Sequence, residues 1–228
     1  MPYFYYDWTM ILVIPGLLLG LYAQFKVKST FARYSRVRTK SGLTAEAAAR
    51  MLLSRGGSTN VTISRVNGSL TDHYDPSSKT LRLSDSVYGS DSVAAVGVAA
   101  HECGHALQEH DGYGLLKLRT ALVPVVNIGS SLYLPIFMAG LLFSWEPLQM
   151  VGILCFGLTL LFSLVTLPVE INASKRALGM LEGVLDAEEL RGARAVLSAA
   201  ALTYLASVIS SALQLLRLIL ISRSRNRD

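Results

Sequence analysis

A mainly α-helical membrane protein, with about four apolar helices and a small α+β part carrying a short β-sheet, is the fold class this sequence predicts. Three observations predict it. Hydrophobic residues make up 51% of the 228 and charged residues only 16%, and the mean hydropathy is +0.41. The apolar residues gather in four blocks, Thr9–Phe25, Ala121–Ser144, Met150–Val169 and Ala199–Ser222, each close to the roughly 20 residues that cross a bilayer as a helix. Lys and Arg stand beside these blocks, so the net charge of +5 fits a lipid bilayer as partner and not nucleic acid.

The first block reads as a retained anchor. Its leader, MPYFYYDW, has no basic region, and no small-residue cleavage site follows the apolar stretch. Tyr3, Phe4, Tyr5, Tyr6 and Trp8 form the aromatic cluster expected at a membrane interface. Lys26, Lys28, Arg33, Arg36, Arg38 and Lys40 come next, with no acidic residue before Glu46. The positive-inside rule places this loop in the cytoplasm and Met1 outside. The turn Trp145–Gln149 has no Lys or Arg and suits the outer face, and the third block returns to the cytoplasm near Val169. A fourth crossing puts Arg223, Arg225 and Arg227 outside, against the rule. The alternative is an amphipathic helix lying on the cytoplasmic surface. Spanning, with Arg217 snorkelling, is the expectation.

The expected organisation is an anchor over 1–25, a cytoplasmic part with the motif helix over 26–120 and an apolar helical hairpin over 121–170. A cytoplasmic helical segment over 171–198 and a final apolar helix with a basic tail over 199–228 complete it. Within the cytoplasmic part, Thr44 can cap a helix through AEAAARMLLS that stops at Gly56–Gly57. Val61–Val66 and Lys79–Leu83 alternate as short strands, with turn signals at Asn67–Gly68 and Asp75–Pro76. A helix is expected from about Ser92, and Asp186 with Glu189 forms a capping box that starts another. Cys103 and Cys155 cannot make a disulfide framework.

The segment His101-Glu102-Cys103-Gly104-His105 is HExxH. On a helix, positions i and i+4 share a face, so both imidazoles can hold one zinc ion. Glu102 is rotated by one residue, where it can take a proton from the attacking water and pass it to the leaving amine. Catalytic zinc usually has three protein ligands and one open position. Three residues are candidates for the third ligand. Asp111 follows His105 at the spacing of HExxHxxGxxH proteases, but Gln108 stands where those need a glycine. Glu109 lies one turn past His105, where the rising helix axis carries it away from the metal. Glu170 follows Pro168 at the cytoplasmic end of the third block, on the same side of the membrane as the motif helix.

HECGHALQ, preceded by TDHYDPSSKTLRLSDSVY and followed by LPVEINASKRAL, resembles the YugP-type neutral zinc metallopeptidases of bacterial membranes, over nearly the whole chain. It is distantly similar to the CAAX prenyl protease and the heat-shock protease HtpX. The resemblance implies a zincin-like cytoplasmic part, zinc on His101, His105 and Glu170, Glu102 as general base, and location in the bacterial cytoplasmic membrane. Those relatives follow the glutamate with an aspartate; this chain has Ser174 there, which puts the aspartate's orienting role in doubt. Zincins commonly bind substrate as an added strand beside the motif helix. Lys79–Ser84 is the candidate edge, with an ordinary internal strand as the alternative.

Two further residues are weighed as stabilisers of the oxyanion. His73 could donate to it or cap a turn, and Arg176 could face it or flank the membrane. Asn127, Ser130 and Ser131 in the second block are read as joining helices, and Cys103 as a small packing residue. The functional expectation is an endopeptidase acting on peptides or membrane proteins. A zinc-binding membrane scaffold is the rival, and a regulatory membrane partner or a second copy of the chain stays open. A transporter is disfavoured, because Arg217 is the one ionisable residue well inside the apolar blocks.

Overall fold

A computed structural model of the protein describes residues 8–225; Tyr3, Phe4, Tyr5, Tyr6 and Arg227 lie outside the described residues. After a 3-10 turn at Trp8–Leu12 come α1 (Val13–Tyr34), α2 (Ala45–Arg55), β1 (Thr62–Val66), β2 (His73–Asp75) and β3 (Thr80–Ser84). Then follow α3 (Val93–His110), α4 (Gly114–Leu142), α5 (Glu146–Leu181) and α6 (Ala187–Arg225). The residues fall into two compact units. One takes Ala23–Lys117 with Pro168–Leu202; the other takes the chain up to Tyr22, Leu118–Leu167 and the chain from Thr203.

The first unit contains the sheet and the motif helix. Thr44 caps α2, its hydroxyl accepting from the Ala47 amide at 3.3 Å, and Gly57 leaves the helix at φ +78°, a backbone conformation that favours glycine. Ser92 caps α3 in the same way, accepting from Ala95 at 3.2 Å. Asp186 and Glu189 close the expected capping box, each side-chain oxygen accepting from the other's backbone amide at 2.9 and 2.8 Å. The core joins Ala48, Ala49, Leu52 and Leu53 of α2 to Leu81 and Leu83 of β3, Val96, Ala99, Ala100 and Cys103 of α3, and Ala177 and Leu181 of α5. Its alanine content lets these helices approach closely.

The sheet corrects one expectation. Its order is β1-β3-β2, with β1 parallel and β2 antiparallel to β3. Lys79–Ser84 therefore supplies the central strand and not an edge; Leu81 and Leu83 are fully buried in the core on one face, while Thr80 and Arg82 on the other are only partly buried. The edge strand β2 carries no periodic signal because it is three residues long. Asp75, read as a turn residue, ends β2 and also accepts from the Ser77 amide at 2.9 Å, so strand and turn meet there.

The second unit has the surface of a protein in lipid. Ile14, Leu17, Leu18 and Leu21 of α1, Ile128 and Met138 of α4, and Leu154 and Leu164 of α5 are large, apolar and exposed. All four long helices are apolar and long enough to cross a membrane. Phe137, Leu141, Ile153, Phe156 and Leu218 form its buried cluster. Glycine permits close contacts here: a Cβ on Gly152 would stand 2.7 Å from that of Phe137, and one on Gly16 would stand 2.8 Å from Ser210 Oγ. Ser222 Oγ donates to the buried Gln149 at 2.7 Å, and Arg217 Nε donates to Thr9 Oγ1 at 3.3 Å. The C-terminal end of α6 thus lies beside the starts of α1 and α5. Ser130 and Ser131 do not join helices; both hydroxyls donate to the Asn127 carbonyl of their own helix.

Candidate metal centre

Two helices of the first unit build the site. α3 carries His101, Glu102 and His105 on adjacent turns, and α5 continues through Pro168 and presents Glu170 against them. Their approach depends on Gly104, where a Cβ would stand 2.5 Å from the Ala173 carbonyl oxygen. Any larger residue between the two histidines would hold α5, and Glu170 with it, away from them.

Glu170 Oε2 lies 3.2 Å from His101 Nε2 and 3.4 Å from His105 Nε2, and one ligand atom from each residue falls within 4.8 Å of the others. The two rings stand edge to face at 84°. A tetrahedral ion with bonds of about 2.1 Å separates its ligand atoms by about 3.4 Å. The two carboxylate-to-imidazole separations match that spacing, and two imidazole nitrogens with one carboxylate oxygen are a donor set that suits zinc. Glu170 keeps 2% of its side-chain surface, while His101 and His105 keep 13% and 10%. The centre is deep but reachable. At His105, burial opposes a charged ring, but the hydrogen bond to the Glu170 carboxylate and the Glu102 charge outweigh it and raise the ring's proton affinity.

A family model described as "Putative neutral zinc metallopeptidase" matches residues 9–223. The chain belongs to that family. It is also 45% identical over 214 residues to the "Putative membrane protease YugP" of Bacillus subtilis (strain 168), covering 93% of this chain and 95% of that relative. No solved structure matches. The family and the relative's name agree with the apolar helices that this is a membrane protein of the zinc metallopeptidase class.

The remaining sequence candidates have other engagements. Tyr74 of β2 donates to Glu109. Asp111, at the C-cap of α3, is ion-paired with Arg176. Arg176 also donates from Nε to Asn172 Oδ1 at 3.0 Å, so its contacts lie along α3 and α5 and not with the ligand atoms. His73 Nδ1 donates to the Thr71 carbonyl at 2.8 Å, and Arg82 approaches its Nε2 at 3.5 Å; it is an exposed residue of the sheet. Cys103 is fully buried behind the ligands, its Sγ 3.7 Å from the Ala49 carbonyl. Burial pushes its thiol well above the ordinary value, with the Glu102 charge adding to it, which makes it a packing group.

Two residues complete the site around the ligands. Ser174 Oγ lies 3.1 Å from His101 Nδ1. At that distance a hydrogen bond between the Ser174 hydroxyl and Nδ1 can orient the His101 ring. In the sequence Gln108 stands out only as the residue that occupies the glycine position of a different zinc motif. Its signal is a polar residue on the apolar side of α3: it is fully buried and lies 2.9 Å from His105 Nδ1.

Proposed function

We propose that this protein is a membrane-embedded zinc-dependent endopeptidase, with one zinc ion per chain and its site at the cytoplasmic face of the bacterial cytoplasmic membrane. The observation that carries the proposal is the convergence of His101, His105 and Glu170 from two helices, with Glu102 buried between the histidine ligands in sequence. Zinc held there supplies Lewis acidity toward water and the scissile carbonyl. Glu102 takes the proton of the attacking water and delivers it to the leaving amine. Ser174 and Gln108 keep the histidine rings facing the centre. Glu170 supplies the negative charge that two neutral imidazoles lack.

The rival is a zinc-holding scaffold without hydrolysis, which needs a closed set of four ligands. Asp111 and Glu109, the residues nearest in sequence to supply a fourth, are engaged by Arg176 and Tyr74. That favours an open position and hydrolysis. For substrate, the outer edge of β2 replaces Lys79–Ser84 as the place for an added strand, since β2 is an edge and Tyr74 ties it to α3. Membrane proteins, and soluble chains brought to the bilayer, suit such an edge.

The basic loop after the first crossing supports the cytoplasmic placement. The pairing of Ser222 with Gln149 supports an outer-face end for α6. Detergent-purified protein is expected to cleave casein, to stop when a chelator strips zinc, and to resume when zinc is restored. Cleavage that survives complete zinc removal contradicts the proposal. Full zinc occupancy with no cleavage of casein or a peptide library supports the scaffold.

A further inference from the structure

Gln108 stands between the second histidine and the helix that brings the third ligand, and its hydrogen bonds allow only one orientation. Nε2 lies 2.8 Å from the Val169 carbonyl oxygen and 2.9 Å from Asn172 Oδ1. A backbone carbonyl can only accept, so the amide nitrogen must face Val169. Oε1 must then face His105 Nδ1, 2.9 Å away. An oxygen that can only accept requires a proton on Nδ1, which leaves the lone pair of a neutral ring on Nε2, the atom turned to Glu170.

Asn172 is fixed by the same reasoning. Its Oδ1 accepts from Gln108 Nε2 and from Arg176 Nε at 3.0 Å. Arg176 is paired in turn with Asp111, three residues past Gln108 on α3. The chain of contacts leaves α3 at Gln108, crosses to α5 and returns to α3 at Asp111. Val169 and Asn172 flank Glu170 on one turn of α5, so the group that sets the His105 tautomer also holds the turn that carries the third ligand.

We propose that Gln108 is a positioning residue: with Asn172, Arg176 and Asp111 behind it, it fixes the His105 tautomer and the register of Glu170 before any metal arrives. This inference rests on the zinc-site reading above. The neutral carboxamide orients the ring without adding the negative charge of a carboxylate.

Zinc affinity by chelator competition on purified wild type, Gln108→Leu and Gln108→Glu tests it. Gln108→Leu removes the acceptor and is expected to weaken zinc binding about 10- to 100-fold, while Gln108→Glu, which keeps an oxygen at Nδ1 but sets its second oxygen against the Val169 carbonyl and Asn172 Oδ1, recovers part of that loss. Wild-type affinity in the leucine variant overturns the proposal. So does an equal loss in both variants, which marks Gln108 as packing alone.

Since an unfolded Gln108→Leu would also read as lost affinity, nitrogen-15 imidazole spectra of zinc-free wild type at alkaline pH give a second readout. The neutral His105 ring is expected as the Nδ1–H form, and an Nε2–H form overturns the proposal whatever the variants do. Neither readout depends on peptide cleavage. Absence of zinc binding by wild type would instead remove the site reading itself.

Discussion

Gly104→Ala places one methyl group where the site can least accept it. The added Cβ would meet the Ala173 carbonyl oxygen at 2.5 Å, and the carbonyl carbon at 3.1 Å. Both are backbone atoms of α5, so no side chain can turn aside. To restore an ordinary 3.4 Å contact, the helices must part by about 0.9 Å in that direction, since close-packed interiors have no slack to absorb it. Ala173 lies within one turn of both Glu170 and Ser174, so the third ligand and the group orienting His101 move with it. Ligand distances in a metal site tolerate only about 0.2 Å.

Zinc binding is therefore expected to weaken at least about tenfold, the lower range for disturbing groups around a metal. The fold is less sensitive. Overpacking costs about 1–3 kcal/mol, and replacing a helical glycine by alanine returns about 1 kcal/mol. Chelator competition reads the affinity, and thermal unfolding in detergent reads the stability. Gly179→Ala on α5 is the control: its Cβ meets nothing within 4 Å, so zinc affinity should hold while stability rises slightly. Unchanged zinc affinity in Gly104→Ala would refute the claim that this helix contact sets the ligand geometry.

Glu170→Ala is expected to abolish stoichiometric zinc binding while Asp111→Ala retains it, as metal analysis would show; the reverse result makes Asp111 the ligand. A reporter fused after Asp228 should show outer-face activity, because Ser222 and Arg217 lie beside the starts of α5 and α1; cytoplasmic activity would rule out the fourth crossing. The Asp186 carboxyl is held down to about 2, first by the Glu189 amide and then by Lys40. A depressed folded value means stabilisation that is present above the unfolded value of about 3.9 and is lost as pH falls toward 2. Asp186→Asn should lower the unfolding temperature at neutral pH, and the difference should shrink as pH falls from about 4 and close below about 2; a difference undiminished at pH 2 contradicts the assignment.

The parts of this protein that are legible in its sequence are those written in local chemistry. Thr44, Ser92 and the Asp186–Glu189 box announce helix starts because caps act within three residues. HExxH reveals its own geometry because both histidines lie on one helix. Glu170 could be reached by combining topology with a glutamate after Pro168, and it stands with both histidines in one candidate cluster. Relations between distant segments were not legible. Strand β2 is too short to show a period, and the central position of β3 depends on pairings that its own residues do not encode. Arg176 and Asp111 looked like separate functional candidates until α3 and α5 brought them together. Gln108 has no motif of its own, and its role follows only from Val169 and Asn172 across the helix contact.

The central claim is a hydrolytic zinc centre on His101, His105 and Glu170 with Glu102 as its base, and one comparison tests it most directly. Casein cleavage and zinc content would be measured on wild type and Glu102→Gln, purified side by side in detergent. The account predicts about one zinc per chain in both proteins and a cleavage rate about 10²- to 10⁴-fold lower in the variant. A variant that cleaves at the wild-type rate, or a wild type that holds no zinc, would contradict it.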